Sequence, residues 1–497
     1  MNMNTEQSLM KEQLYFKESL WRGKIYDGGW IESSGGQADD VEPATGSILT
    51  RVGVADATDV REAAHKASVA QRDWGEALAT DRAEVLRRAA ELLRKHQDEV
   101  KRWIMRECGG VRSKADIEFL QAHGHLLEAA AIATQPPGLV LPSPSERLSL
   151  ARRIPRGVVG VISPNNFPLI LSTRASAPAL ALGNAVVLKP DLETPVCGGF
   201  ILAQIFEEAG LPAGLLQVLP GGADAGQAIC EDPRVAMVSF TGSTGAGRKV
   251  AEIAGRNLKK VSLELGGKNP MIILEDADAE LAASNAAFGS WTHQGQICMA
   301  TGRVLVHEKL APTVTDLLTE KAKQIKVGNP AVEEVALGPL ITRRQLERVD
   351  SIVRDSIASG ARLRAGGEYR DLFYQATVLD RVTPSMRAFR EEIFGPVAPV
   401  TTFQSDEEAI ALASDSEYGL SLSIISSSLE RGLALSKRIP AGLVHINDQT
   451  IGDDPFAPFG GVGASGNGAR HGGPANWEEF TQWQWVTLQA RPPRYQF

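Results

Sequence analysis

The chain is short of cysteine. Its 497 residues include only Cys108, Cys197, Cys230 and Cys298, and no two of these form a CxxC pair. Structural zinc sites and disulfide frameworks draw on clustered cysteines, so neither is indicated, and scattered thiols suit a reducing compartment. Excess charge is missing as well: 52 Lys and Arg stand against 60 Asp and Glu, with no basic stripe of the kind a nucleic-acid partner needs. Long apolar runs are also absent. The opening MNMNTEQSLMKEQLYF holds no apolar core of signal-peptide length, and later runs break well before membrane-spanning length. The expectation is a cytoplasmic protein with no nucleic-acid or membrane partner. Its length exceeds what one compact core accommodates, so two or three domains are expected.

Residues 56 to 105 are predicted to be helical, because Val60, Ala64, Ala67, Val85, Leu86, Ala89, Leu92 and Leu93 recur at helical spacing among charges. From residue 157 the pattern alternates. Short β-branched runs at 157–162 and 185–188 flank a helical stretch; a helix near 195–209, runs at 215–219 and 235–240, a helix after Ser243 and a run at 261–265 follow. Strands alternating with helices imply βαβ units and a parallel sheet, with ligands at the carboxyl ends of the strands. The Pro/Ser-rich segment 136–147 is predicted to be a linker or extended arm, and 477–488 is β-prone.

Cys298 lies in Gly295-Gln296-Ile297-Cys298-Met299-Ala300, and Glu264 in Leu263-Glu264-Leu265-Gly266-Gly267-Lys268-Asn269-Pro270. A thiol nucleophile and a carboxylate base are thus both available, each beside glycine that lets backbone approach a ligand. The other three cysteines have no glycine-rich or polar surroundings in sequence and are expected to be packing thiols. Phe240-Thr241-Gly242-Ser243-Thr244-Gly245-Ala246-Gly247 closes a strand and opens a helix, where backbone N–H groups can hold a phosphate. It is not a GxGxxG fingerprint. Gly247-Arg248-Lys249 replaces the Gly-Lys-Ser/Thr of a P-loop, which makes a kinase or nucleotidase a weak alternative.

The two catalytic segments, together with Pro164-Asn165-Asn166-Phe167-Pro168, Phe240-Thr241-Gly242-Ser243-Thr244 and Glu391-Glu392-Ile393-Phe394-Gly395-Pro396, closely resemble the aldehyde dehydrogenase superfamily in the same order. That resemblance implies an α/β fold: a Rossmann-type cofactor domain over 1–135 and 159–263, an α/β catalytic domain over 264–463, and a small β oligomerisation arm from 136–158 and 477–497. It further implies a homodimer or homotetramer acting on a small-molecule aldehyde. Cys298 would attack the aldehyde carbon, Asn166 and the Cys298 N–H would form the oxyanion hole, and Glu264 would activate water against the thioester. The cofactor would be NAD, held by Ser163, Pro164, Asn165, Lys189, Gly242, Ser243, Glu264, Leu265, Gly266, Glu392 and Phe394. Leu192 stands where strictly NAD-dependent members commonly carry a glutamate, so NADP is expected to be tolerated too.

Phe167, Trp291, Ile297, Met299 and Phe459 match positions that line or flank the substrate tunnel, giving an aromatic and apolar wall. Arg174 falls where many relatives carry tryptophan; it would either anchor a substrate carboxylate or lie on the surface of its helix. The segments 163–171, 189–191 and 457–466 look like the benzaldehyde and vanillin dehydrogenase branch, so an aromatic aldehyde is the expected substrate, with a dicarboxylic semialdehyde as the alternative. Gln482 aligns with a second glutamate that serves some members as a proton relay, a role an amide cannot fill. Two other classes compete: a Cys-dependent hydrolase using His293, and a non-catalytic protein on the same fold. The first leaves Lys189, Ser243 and Glu392 unexplained; the second goes with loss of the nucleophile or base, and both are present.

Overall fold

The computed structural model describes residues 14–496; most of the opening segment read for a signal peptide, and the start of the first expected domain, lie outside them. The predicted helical stretch is three helices, Ala57–Glu76, Ala79–Lys95 and Gln97–Glu107. The first is fixed at its start by Asp56, whose side chain accepts from the Thr58 and Asp59 N–H groups while Asp59 caps back in return.

The alternation that follows builds a seven-stranded sheet. In spatial order its strands are Lys260–Leu265, Val235–Gly242, Val158–Ile162, Ala185–Lys189, Leu216–Val218, Lys24–Tyr26 and Trp30–Glu32. The first five are parallel and the last two antiparallel. Strands Val158–Ile162 and Ala185–Lys189 are buried along their whole length, as a sheet covered on both faces requires. The strand order reverses direction between Val158–Ile162 and Val235–Gly242, and a crevice opens beyond the carboxyl ends at such a switch point.

Three residues after Leu265 the chain enters a second seven-stranded sheet, ordered Arg362–Ala365, Thr377–Asp380, Val397–Phe403, Thr301–His307, Asn269–Ile273, Ser421–Ile425 and Leu443–Ile446. Separate hydrophobic cores form around it, one including Leu305, Phe389 and Leu422, the other Met271, Val304 and Val400. A third sheet pairs Leu148–Pro155 with Gly138–Leu141 and with Thr481–Leu488, all antiparallel. Part of the Pro/Ser-rich segment is therefore a strand. At the other end Trp477 belongs to a short helix, Ala475–Phe480, so the β-prone run starts later than its composition suggests. Among the described residues no helix is long and apolar enough to cross a membrane.

Candidate active site

Cys298 follows the helix Ala279–Trp291 and a tight turn in which His293, Gln294 and Gly295 all take positive φ, 50°, 55° and 68°. Glycine is needed at 295 because a Cβ there would stand 2.1 Å from the Gly395 carbonyl oxygen. Buried amide side chains then hold the loop. Asn166 Nδ2 donates to the Gln296 carbonyl at 3.0 Å, and Asn269 Nδ2 donates to the carbonyls of Cys298 at 2.8 Å and Ala300 at 2.9 Å. Gln294 Nε2 donates to Gly109 at 3.0 Å and Pro339 at 2.8 Å. A loop tied at so many points is preorganised, which is what a charge-stabilising site needs. The role of Asn269 was missed in the sequence, although it stands in the segment quoted for Glu264.

Glu264 is the penultimate residue of its strand, 2 % exposed, and neither carboxylate oxygen has a hydrogen-bond partner among the described residues. Burial pushes its carboxyl up to about 8, with Arg174 and Arg470 opposing the shift. Burial likewise pushes the Cys298 thiol up to about 12, and Arg174 is the main group pulling it back. Burial thus biases both the nucleophile and the base toward their neutral forms, with Arg174 the charge that most opposes it at each. His293 is buried, and neither ring nitrogen has a side-chain hydrogen-bond partner among the described residues; burial and Lys114 hold it well below the usual imidazole range. It makes no hydrogen bond to Cys298, which removes the thiol–imidazole pair a hydrolase would use.

The dinucleotide candidates gather at the switch point. Ser163 N–H donates to the Lys189 carbonyl at 3.1 Å, and its hydroxyl pairs with Ser172 at 2.8 Å, so its side chain braces the strand end; Pro164 and Asn165 follow it, half-buried. Lys189 is no surface lysine: it is 8 % exposed and its ammonium donates to the Gly221 carbonyl at 2.8 Å. Gly242 ends a strand, Ser243 caps the helix Thr244–Arg256, and the space beside Gly245 is open, leaving the helix N-terminus available to a phosphate. On the far side Glu392 accepts from Gly267 N–H at 3.1 Å, and a Cβ on Gly266 would meet its other oxygen at 2.3 Å. Burial pushes this carboxyl up to about 7. Leu265 is buried in the core of the first sheet against Gly247, and Phe394, at φ 55°, is half-buried two residues after Glu392. An anion-binding helix end, an amine on one flank and a hydroxyl-accepting carboxylate on the other fit a dinucleotide.

Ile297, Met299, Leu420 and Phe459 form one apolar cluster, with Phe167 and Cys298 packed against it. The Phe167 ring sits between the Lys114 ammonium, 4.6 Å from its centroid, and the edge-on His293 ring at 5.2 Å. Trp291 departs from expectation. It is 2 % exposed and belongs to the core of the second sheet with Val304 and Ala286, and not to the apolar cluster that Cys298 packs against. Arg174 is not on the surface of its helix either: it is 3 % exposed, its guanidinium lies 4.4 Å from the Phe459 ring centroid, and Nη1 donates to Asp453 Oδ2 at 3.3 Å. Nothing in the sequence flagged Asp453. Gln482 is exposed on the tail strand opposite Ile154, remote from Glu264, since strand pairing carries it into the third sheet. C-terminal residues that do neighbour Glu264 include Gly460 and Gly466, and the charges of Asp453, Arg470 and Glu479 also act on it. Cys108 and Cys197 also have polar company: with Glu107 they form a wholly buried group, and the Glu107 carboxylate accepts from the Val196 and Cys197 N–H groups at 2.7 Å each.

Comparison with known proteins gives a consistent result. A profile of the aldehyde dehydrogenase family matches residues 30–486. A vanillin dehydrogenase of an Amycolatopsis species is 54% identical over 484 residues, spanning 97% of this chain and 100% of that protein. A benzaldehyde dehydrogenase [NAD(+)] of Pseudomonas putida is 50% identical over 482 residues, 97% of this chain and 99% of its own. Among solved structures, an NAD-dependent aldehyde dehydrogenase from Sinorhizobium meliloti superposes with a TM-score of 0.92 at 36% identity, covering 97% of each chain. A betaine aldehyde dehydrogenase from Staphylococcus aureus in complex with NAD+ does so with 0.92 at 30% identity, covering 96% of each.

Proposed function

The chain belongs to the aldehyde dehydrogenase family, and from that premise we propose that it oxidises an aromatic aldehyde to the carboxylate with NAD+ and water. The observation that carries the substrate class is the packing of Cys298 against Ile297, Met299, Phe459 and Phe167, a wall suited to a flat ring. In this reading Cys298 Sγ bonds to the aldehyde carbon and the thiol proton departs to solvent. The resulting oxyanion lies against the second N–H of Asn166 Nδ2 and the Cys298 N–H. When bound, NAD+ accepts the hydride, an electron pair with its proton, from that carbon. Loss of hydride leaves the acyl group on Cys298 as a thioester. Glu264, once ionised, takes a proton from water as its oxygen attacks the thioester, and the acid leaves as the thiol is restored.

Leu192 is half-buried beside the Lys189 strand end, where it presents no charge against a 2'-phosphate; this supports use of NADP beside NAD. A domain division close to 264 is supported by the passage from one sheet to the other across Gly266–Lys268, although Glu264 and Leu265 themselves still belong to the first sheet. A homodimer or homotetramer formed through the three-stranded arm is supported by its exposed Leu139, Val140, Trp483 and Trp485. Four free cysteines support a cytoplasmic location. The test is the rate of reduced-nicotinamide formation from benzaldehyde, succinic semialdehyde and a short aliphatic aldehyde, each with NAD+ and NADP+. Preferential turnover of benzaldehyde is expected; activity confined to the semialdehyde would overturn the aromatic reading.

A further inference from the structure

We propose that the Arg174–Asp453 pair reads a hydroxyl group on the substrate's aromatic ring, an inference that rests on the aromatic-aldehyde reading of the site. The two residues are 279 positions apart, yet the fold brings them together beside Phe459, the residue that also packs against the nucleophile's cluster. Arg174 is 3 % exposed, and Asp453 is its one hydrogen-bond partner among the described residues, through a single guanidinium nitrogen. Asp453 Oδ1 is buried and has no partner among the described residues. A buried ion pair is stable only when its remaining donors and acceptors are satisfied. Here one carboxylate acceptor and the remaining guanidinium donors are left over beside Phe459, whose cluster Cys298 packs against.

The chemistry of the leftovers selects the ligand. A phenolic hydroxyl can donate to Asp453 Oδ1 and accept from an Arg174 N–H at the same time, completing both. An ether oxygen can only accept. A carboxylate also only accepts, and it would face the Asp453 charge, which already neutralises Arg174; this disfavours the small dicarboxylic semialdehydes. An unsubstituted ring leaves both groups unsatisfied, and sites built to bond a hydroxyl discriminate against substrates that lack it.

The experiment measures kcat/KM with NAD+ for benzaldehyde, 3- and 4-hydroxybenzaldehyde, 4-methoxybenzaldehyde and 4-formylbenzoate. At least one hydroxy compound should exceed benzaldehyde by about 10-fold or more, its methyl ether should lose most of that gain, and the formylbenzoate should be poorest. The double variant Arg174→Met/Asp453→Leu removes both charges without stranding either, and should bring the hydroxy-to-benzaldehyde ratio down by about 10-fold. Arg174→Lys, which keeps the charge but loses the planar fork, should lower the same ratio several-fold. An unchanged ratio in both variants, or a preference for 4-formylbenzoate in the parent protein, would overturn the proposal. Oxidation of no aromatic aldehyde by the parent would instead overturn the underlying function, and the inference with it.

Discussion

Glu264→Gln replaces a carboxyl that is 2 % exposed and has no hydrogen-bond partner for either oxygen among the described residues. In the folded protein burial holds this group at about 8, against 4.5 for an ordinary glutamate. The folded state therefore binds the proton more tightly than the unfolded chain, and stability is lost as pH rises from 4.5 toward 8. At pH 7 the unfolded glutamate is ionised while the folded one is mostly protonated, a difference worth about 3 kcal/mol at ~1.36 kcal/mol per pH unit. Glutamine cannot ionise, and its neutral amide meets the same unpartnered surroundings as the protonated acid. The variant should therefore be more stable at pH 7 by about 3 kcal/mol, or roughly 6–12 °C in Tm for cooperative units of 150–250 residues. The gap should vanish below pH 4.5 and level off above pH 8. Thermal melts of both proteins across this range, at one scan rate, provide the assay. A Tm gap that does not change with pH, or one that widens toward acid, would refute the reasoning. The same variant should lose hydrolysis: one equivalent of reduced nicotinamide per site forms rapidly, followed by a steady rate lower by about 100-fold or more. In the parent protein the hydrolytic rate should rise with pH toward a plateau above about 8, because only ionised Glu264 can accept the proton.

Cys298→Ala should abolish aldehyde oxidation and leave NAD+ binding, measured by calorimetry, within a few-fold of the parent; retained oxidation would remove Cys298 from the nucleophile's role. Asn166→Ala should lower kcat by about 100- to 1,000-fold, as loss of one oxyanion donor does, with a far smaller change in KM. Leu192→Glu should place a carboxylate beside the adenosine ribose and lower the NADP-to-NAD ratio of kcat/KM by about 10-fold or more; an unchanged ratio would place cofactor discrimination elsewhere.

The five parallel strands of the first sheet were legible to within a residue or two because β-branched runs such as Ala185–Leu188 end abruptly at Lys-Pro or Ser-Pro, where the backbone cannot continue a ladder, whereas the antiparallel strands Lys24–Tyr26 and Trp30–Glu32 were not read. The breaks at Leu78 and His96 were not, since no glycine or proline marks them and packing of the helices decides where each ends. Cys298 and Glu264 stood out as candidates from their glycine-rich segments, whereas Asn166 joined them only through the family resemblance, since alone it reads as a turn residue between prolines. Trp291 was placed beside the tunnel by its match to a family position, and at the end of its helix it packs into the core of the second sheet instead. Gln482 failed for the opposite reason, because a register running from Thr481 to Leu488 against Pro155 to Leu148 fixes it on another sheet. Asp453 left no local trace, since its meaning comes entirely from a partner on a distant helix.

The site is stitched shut by residues that arrive late. Leu265 N–H donates to the Ser465 carbonyl at 2.9 Å, Ser465 Oγ donates to the Gly266 carbonyl at 2.7 Å, and Leu263 N–H donates to Asn467 Oδ1 at 3.0 Å, across some two hundred residues in each case. Contacts of such separation form after local ones, and a chain emerging from the ribosome has its nucleophile long before it has this seam. Until the seam closes, the strand that carries Glu264 is the unpaired outer edge of its sheet, and the carboxylate faces water as an ordinary acid. The carboxylate that acts on the thioester therefore takes up its buried position only once residues near 465 have paired with its strand.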